Sequence, residues 1–292
     1  MPNIFIVGCG DIGSLLATKW LERGARVTAL VRSAASKRRL QGLGLETVFG
    51  DLDDASSLSG LPLGGTTVYY LAPPPPKGEG DPRMHHFLDA LAADCLPRRI
   101  VYISTSGVYG DTAGEWVTEE TPPNPQTGRA RRRLDAETAL REFGHRHSVS
   151  VIILRVGGIY GPGRLPLERL QKGLPVLNKS ECGYTNRIHA EDLAEILLAA
   201  AEKGQGDNIY NVSDGQPGNM TQYFNAVADA LGLPHPPSLP MAEARQQLSE
   251  AMLSYLTESR RMDNRKLLRE FGLTLRYPDL SAGLAALDKR PD

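Results

Sequence analysis

Along the first half of the chain, short apolar runs alternate with longer stretches whose apolar positions recur every three or four residues. Residues 4–7, 26–31, 46–49, 67–71, 99–104 and 149–154 read as strands, and 14–23, 33–43, 83–96 and 130–143 as amphipathic helices between them. The runs at 4–7 and 151–154 are continuously apolar, as strands covered on both faces should be. Strand and helix in alternation give an α/β fold, a doubly wound parallel sheet with helices on both sides. After Arg155 the rhythm changes. Gly157, Gly158, Gly161, Pro162 and Gly163 crowd one loop, and a less regular region follows. A helix at 190–202 and a strand at 208–212 are placed to return to the main sheet, and the rest, to Asp292, reads as helices separated by proline-rich turns.

The first strand runs directly into Gly8, Cys9, Gly10, Asp11, Ile12 and Gly13, which open the first helix. A Rossmann-type dinucleotide turn has this form. Its first glycine supplies the backbone angles, the second lets the main chain approach a pyrophosphate, and the third lets helix and strand pack closely. The helix N-terminus then faces the phosphates. The alternative, a purely structural turn, does not account for the strand, the helix and the N-terminal position together. Within the turn, Cys9 reads as a small residue rather than a nucleophile, and Asp11 as a candidate helix cap. An acidic residue closing the second strand would bind the ribose 2′-hydroxyl of NAD. Here Leu30, Val31, Arg32 and Ser33 carry no carboxylate, and Lys37, Arg38 and Arg39 follow. Arg32 with Ser33 therefore favours NADP, with NAD the other dinucleotide that the turn admits. Asp51 and Leu52 close the third strand, where such folds often hold adenine, unless Asp51 caps the next turn. Leu71 and Ala72, after the fourth strand, complete the expected cofactor set. The proline-rich stretch at 73–82 reads as a stiff active-site loop, the alternative being a polyproline ligand for another domain. Domain boundaries follow: an NAD(P)-binding core at 1–155, completed by about 186–212, and a small substrate lobe from 156–185 and 213–292.

Composition narrows the function classes. With 41% hydrophobic residues, 23% charged residues and a formal net charge of -1, nothing points to nucleic acid or an anionic membrane as partner. No apolar run approaches the roughly 20 residues that cross a bilayer. The first residues carry no secretory signal, so the cytoplasm is the expected compartment. The three cysteines are scattered, with neither Cys-x-x-Cys nor His-Glu-x-x-His, so neither a metal site nor a disulfide framework is expected.

Five later segments occur in a recognisable order: 101–111 with Ser104, Thr105, Ser106 and Tyr109; 154–164 with Arg155 and Tyr160; 186–193 with Arg187, His189 and Asp192; 209–214; and 275–278. Together they resemble the extended short-chain dehydrogenase/reductases, and within them the NAD(P)-dependent epimerase/dehydratase branch. The Gly-x-Gly-x-x-Gly turn resembles that of an atypical subgroup. The resemblance implies hydride transfer at nicotinamide C4 on a small molecule such as a nucleotide sugar. It also implies a homodimer through helices matching 83–96 and 129–143, although those helices are rich in charge here.

Family enzymes use a Tyr-x-x-x-Lys pair, whose lysine lowers the tyrosine pKa. Aligned on residues 122–125 and 134–137, those places hold Thr127 and Arg131, and no tyrosine in the chain has a lysine four residues on. Thr127 supplies no phenolate, and Arg131 binds ribose or phosphate without giving up a proton. Thr105 or Ser106 falls where the family places a substrate-bonding hydroxyl, the alternative being a strand-end hydroxyl in a local turn. The Asp-Glu pair of the dehydratases is replaced by Ser106 and Gly107. Tyr109 is expected to pack, the alternative being a substitute acid, His189 to act as a hinge or cap, and Arg129, Arg131, Arg132 and Arg133 to form a solvated helix face. Two readings follow: oxidoreductase or epimerase-like chemistry with a non-standard proton relay, and a non-catalytic NADP(H)-binding sensor or regulatory protein.

Overall fold

The computed structural model describes residues 1–247, 253, 256 and 258–287. In chain order these form β1 (Asn3–Val7), α1 (Asp11–Glu22), β2 (Arg26–Val31), α2 (Ala34–Gly42), β3 (Glu46–Phe49), β4 (Thr67–Tyr70), α3 (Pro82–Asp89) and β5 (Arg99–Thr105). There follow β6 (Trp116–Val117), α4 (Gly128–His147), β7 (Ser150–Val156), β8 (Gly158–Tyr160), α5 (Leu167–Gln171), β9 (Val176–Leu177), β10 (Arg187–His189), α6 (Ala190–Lys203) and β11 (Asn208–Val212). Last come α7 (Met220–Ala230), β12 (Ser238–Leu239), α8 (Met241–Gln247), β13 (Arg261–Met262) and two helices, Arg265–Phe271 and Leu280–Ala285.

Seven strands form one parallel sheet in the order β11-β7-β5-β4-β1-β2-β3. The order reverses between β1 and β4, whose register pairs Ile4 with Thr67 and Val7 with Tyr70. Such a reversal leaves a crevice beyond the carboxyl ends of the two strands, the usual ligand site in open α/β sheets. Successive side chains of β4 serve opposite faces. On one face the Trp20 indole of α1 donates to the Tyr69 hydroxyl at 3.0 Å, which donates to the Leu197 carbonyl of α6 at 3.1 Å. On the other, Tyr70 meets Phe87 of α3 and Tyr102 of β5 edge-on, at centroid distances of 5.3 and 5.9 Å, in a core that includes Leu140 and Phe143 of α4. The sheet is thus doubly wound, as its apolar pattern implied.

Helix α3 ends at Asp89 rather than continuing to 96. The chain leaves the helix so that Leu91 and Leu96 pack on the core, while the Cys95 sulfur accepts from Gly64 N at 3.1 Å. The chain divides into two compact units. The first is Met1–Val108, Gly128–Arg155 and Leu193–Tyr210, and the second Tyr109–Thr127, Val156–Asp192 and Asn211–Asp292. In the second, Tyr160, Val176, Tyr223, Phe224, Val227 and Leu284 form a core of their own. Its short strands pair in parallel, β8 with β10, β9 with β12 and β6 with β13. The lobe expected at 213–292 includes positions 248–252, 254, 255, 257 and 288–292, which lie outside the described residues. Among the described residues no helix is long and apolar enough to cross a membrane.

Candidate functional site

At the carboxyl end of β1 the backbone turns so tightly that only glycine fits. Gly8 has φ +88°, and a Cβ there would lie 2.6 Å from Ala72 Cα and 2.9 Å from the Leu71 carbonyl carbon. The turn is therefore pressed against the residues following β4, and Leu71 N donates to Val7 O at 2.8 Å. Gly13 is also confined, 3.1 Å from Gly8 O at its Cβ position, which lets α1 sit close to the strand. Gly10 differs: a Cβ there would meet nothing within 4 Å. The space its missing side chain leaves is open, and it borders the N-terminus of the 12-residue α1, whose first amides have no partners within the helix. An anionic pyrophosphate fits that cradle in both shape and charge. Gly10 itself is the N-cap, so Asp11 is not the cap but lies in the first helical turn, followed by Ile12. Cys9 is buried, and burial pushes its thiol pKa up, which suits a packing role.

One of the basic residues that follow Arg32 supports this turn. From α2, Arg39 donates to the Cys9 carbonyl at 2.7 Å and to Ser14 Oγ at 2.9 Å. Arg32 is exposed, and among the described residues it makes no hydrogen bond or ion pair. Ser33 caps α2, its hydroxyl accepting from Ser36 N at 3.2 Å. After β3, Asp51 accepts from Asp53 N at 3.0 Å and is not the cap; Asp54 caps the following 3-10 turn. This corner is held from α3, where Arg83 grips both oxygens of Asp53 at 2.7 and 2.6 Å and His86 Nδ1 meets Leu52 O at 2.9 Å.

At the end of β5, Thr105 Oγ1 accepts from Gly107 N at 3.2 Å, so it serves a local turn, and Ser106 is buried. Ala130, in the first turn of α4, lies 3.6 Å from where a Gly107 Cβ would stand, so α4 begins beside this turn. Thr127 is half-buried and immediately precedes α4. The half-exposed Arg131 is paired through its guanidinium with Glu79 in the loop after β4.

The arginine run is not a solvated face, contrary to the expectation from sequence. Arg132 is buried and donates to the carbonyls of Gly78 and, at 3.3 Å, Pro76. Arg133 donates to Ile103 O at 2.8 Å, the Tyr102 hydroxyl at 3.1 Å and Ala72 O at 3.3 Å, tying together the ends of β4 and β5. Burial pushes Tyr102 up to about 12, with Arg133 pulling the other way. Beneath them lies a buried ion pair: Arg155 of β7 donates to Glu137 of α4 at 2.7 Å, and Ser104 donates to the same carboxylate at 2.5 Å.

In the second unit, the Tyr109 hydroxyl donates to Asn211 Oδ1 at 2.7 Å, a packing role. His189 Nδ1 accepts from Glu191 N at 3.2 Å at the start of α6, and its ring centre lies 3.9 Å from that of Tyr277, the planes tilted by 43°. Asp214 is buried, and desolvation raises its pKa to about 6 against the pull of Arg187. A carboxyl whose folded pKa is raised binds more protons folded than unfolded. The contribution of this group is therefore fully present below about pH 4 and is lost as pH rises through about 6, roughly 2–3 kcal/mol in all. Asp214→Asn is expected to remove that slope. Urea melts of both proteins from pH 4 to 8 check this, and parallel stability profiles would exclude it. Among the described residues no cluster of His, Cys, Asp and Glu is placed to hold a metal ion.

Comparison with known proteins agrees with this geometry. The family model described as "NAD dependent epimerase/dehydratase family" matches residues 4–213. Protein YeeZ of Escherichia coli K12 is 27% identical over 288 residues, 96% of this chain and 97% of its own. A structure of a functionally unknown conserved protein from Silicibacter pomeroyi superposes with a TM-score of 0.83 at 28% identity, covering 99% of both chains. The UDP-glucose 4-epimerase of Thermus thermophilus, in complex with NAD, shares the fold with a TM-score of 0.76 at 24% identity over 97% of this chain and 96% of its own. The match spans both the glycine turn and the segments around β5, β7 and β10, and the chain belongs to the NAD dependent epimerase/dehydratase family.

Proposed function

We propose that the chain binds a nicotinamide dinucleotide, preferentially NADP(H), on the turn between β1 and α1, and carries out oxidoreductase or epimerase-like chemistry on a nucleotide sugar or a related polar metabolite. The observation that carries this is Gly10: open space at its side-chain position, at a helix N-terminus, at the sheet's reversal point. Gly8, Gly10, Asp11, Ile12 and Gly13 would face the pyrophosphate, Arg32 and Ser33 the 2′-phosphate, Asp51 and Leu52 the adenine, and Leu71 and Ala72 the middle of the cofactor. The bound dinucleotide would supply hydride transfer at its nicotinamide ring, and residues 156–185 and 213–292 would supply the substrate lobe. Thr105, Ser106, Thr127 and Arg131 are the candidate catalytic positions.

A second reading, a non-catalytic NADP(H) sensor, is favoured by one contact. Arg131, in place of the family's lysine, is engaged by Glu79, and Thr127 has no acidic proton near neutral pH. The separating experiment is stopped flow over a panel of nucleotide sugars, following NADP+ reduction by the sugars and NADPH oxidation by their 4-keto forms, with chromatography of the sugar products to detect epimerisation, which leaves the dinucleotide unchanged overall. Turnover supports the enzyme; tight NADPH binding without turnover supports the sensor.

Cofactor choice has its own test. Arg32→Ala is expected to weaken NADP far more than NAD, because a charge-assisted phosphate contact contributes ~1.5–3 kcal/mol, roughly ten- to hundredfold in affinity. Equal losses for the two dinucleotides would remove Arg32 from that role.

A further inference from the structure

The loop from Ala72 to Asp81 is fixed along its length by side chains of α3 and α4. Arg83 donates to Pro73 O at 3.1 Å, Arg133 to Ala72 O at 3.3 Å, and the buried Arg132 to Pro76 O at 3.3 Å and to Gly78 O. At the far end Asp81 N donates to Asp135 at 2.7 Å. Glycine stands on either side of Glu79: Gly78 has φ +92°, and a Cβ on Gly80 would lie 3.1 Å from Asp135 Oδ2. Glu79 therefore projects from a pinned backbone drawn close to α4. Its Oε1 lies 3.5 Å from where a Gly128 Cβ would stand and accepts from Arg131 Nη2 at 3.3 Å, while Oε2 pairs with Arg131 Nε. The carboxylate thus sits at the first turn of α4. The same turn borders the end of β5, since Ala130 Cβ and Thr105 Oγ1 lie 3.6 and 3.5 Å from the Gly107 Cβ position.

Stability does not explain a carboxylate in this place. The Glu79 and Arg131 side chains are 69% and 42% exposed, and an exposed pair contributes about 0–1 kcal/mol. Chemistry does. Oxidising an alcohol requires a group that takes the hydroxyl proton, and Thr127, the residue before Gly128, has no phenolate, while Arg131 gives up no proton. Arg131 also holds the Glu79 carboxyl below the usual carboxylate range, so it is ionised and able to accept a proton at neutral pH.

We propose that Glu79 is the general base of the reaction in place of the absent tyrosine, with Arg131 as the residue that positions it. This rests on the reading of the chain as an enzyme acting on a polar metabolite, and it names the group that takes the proton. In the oxidative direction the C–H and O–H bonds of the substrate alcohol break and its carbonyl π bond forms. The hydride, with its electron pair, goes to the oxidised nicotinamide. The hydroxyl proton goes to a Glu79 oxygen, and the exposed carboxyl passes it to water. In the reductive direction the carboxyl must first be protonated, so that reaction should speed up as pH falls. The Arg131 guanidinium, a fork that matches two carboxylate oxygens, fixes the direction in which the base points.

The test joins a spectrum to a rate. The full chain, isotope-labelled at its glutamate carboxyl carbons, is titrated with NADP+ and read by NMR, with Glu79→Gln assigning the signal. The Glu79 signal is expected to shift as the dinucleotide saturates. Over the panel of nucleotide sugars, Glu79→Gln should lower kcat for NADP+ reduction by roughly 10²–10⁴-fold. Its KM for the sugar, its calorimetric affinity for NADPH and its melting temperature should stay at the wild-type values. Formate, which brings back a carboxylate, should return part of the rate to Glu79→Ala, and a merely structural loss would not respond to it. The proposal is overturned if saturating NADP+ leaves the Glu79 signal in place, if Glu79→Gln turns over as fast as wild type, or if formate restores nothing. Wild-type turnover with any of these results overturns this inference alone. Wild type that binds NADP+ and turns over no sugar overturns the enzymatic reading, and this inference with it.

Discussion

Gly10→Asp protein is expected to be folded and to show no measurable dinucleotide binding by calorimetry. The substituted position has a negative φ of -82°, and its Cβ meets nothing within 4 Å, so no neighbour has to move to admit the side chain. A carboxylate at the start of α1 is even mildly favourable to the helix. It would, however, stand in the space a pyrophosphate must enter. Like charges about 4 Å apart repel by about 4 kcal/mol at an effective dielectric near 20, roughly a thousandfold in affinity before any steric cost. Gly8→Ala makes the control. Its Cβ would lie 2.6 Å from Ala72 Cα at a residue with φ +88°, so that variant should lose stability and binding together. Normal cofactor affinity in folded Gly10→Asp protein would remove the turn from the account.

The second large effect is on stability. Glu137→Gln is expected to cost about 3–5 kcal/mol, because it leaves the Arg155 guanidinium charged and buried with its carboxylate gone. Both side chains are nearly sealed, at 2% and 3% exposure, and the pair spans α4 and β7 with Ser104 of β5 on the same carboxylate. The loss should be strongly coupled: Glu137→Leu with Arg155→Met should cost clearly less than the two single changes added together. Denaturant melts of the four proteins form the cycle, and additive losses would mean that the two residues act separately. The pair bears on function through α4, which also carries Arg131 and Arg133.

The frame of this fold is legible in the apolar runs. Residues 4–7 and 151–154 are continuous because their strands are covered on both faces, and the turn at 8–13 follows the first of them directly. The short strands β6, β8, β9, β10, β12 and β13 are not legible. Two or three residues have no periodicity, and each pairs with a segment far away in sequence. The arginine run misleads for a related reason. Long cationic side chains on a helix usually face water, but here the loop around Pro76–Glu79 lies over them and supplies the acceptors. Nothing in the helix's own pattern announces a loop some fifty positions upstream. Arg39 and Arg187 stand in the sequence only as a basic residue after Arg32 and as part of a motif; that the first reaches the Cys9 carbonyl, and that the second lies against Tyr223 and Met220, is not written there. Both facts exist only in three dimensions. Motif order along the chain, by contrast, needs no contacts, and it matched the family that the comparison established.

The most direct measurement is a crystal structure of the protein soaked with NADPH. The account predicts density along the carboxyl ends of β1, β2, β4 and β5. The pyrophosphate should lie over Gly10 and the first turn of α1, the 2′-phosphate within hydrogen-bond reach of Arg32 and Ser33, and the nicotinamide toward Thr105. A dinucleotide bound elsewhere, or an empty glycine turn at saturating NADPH, would contradict it.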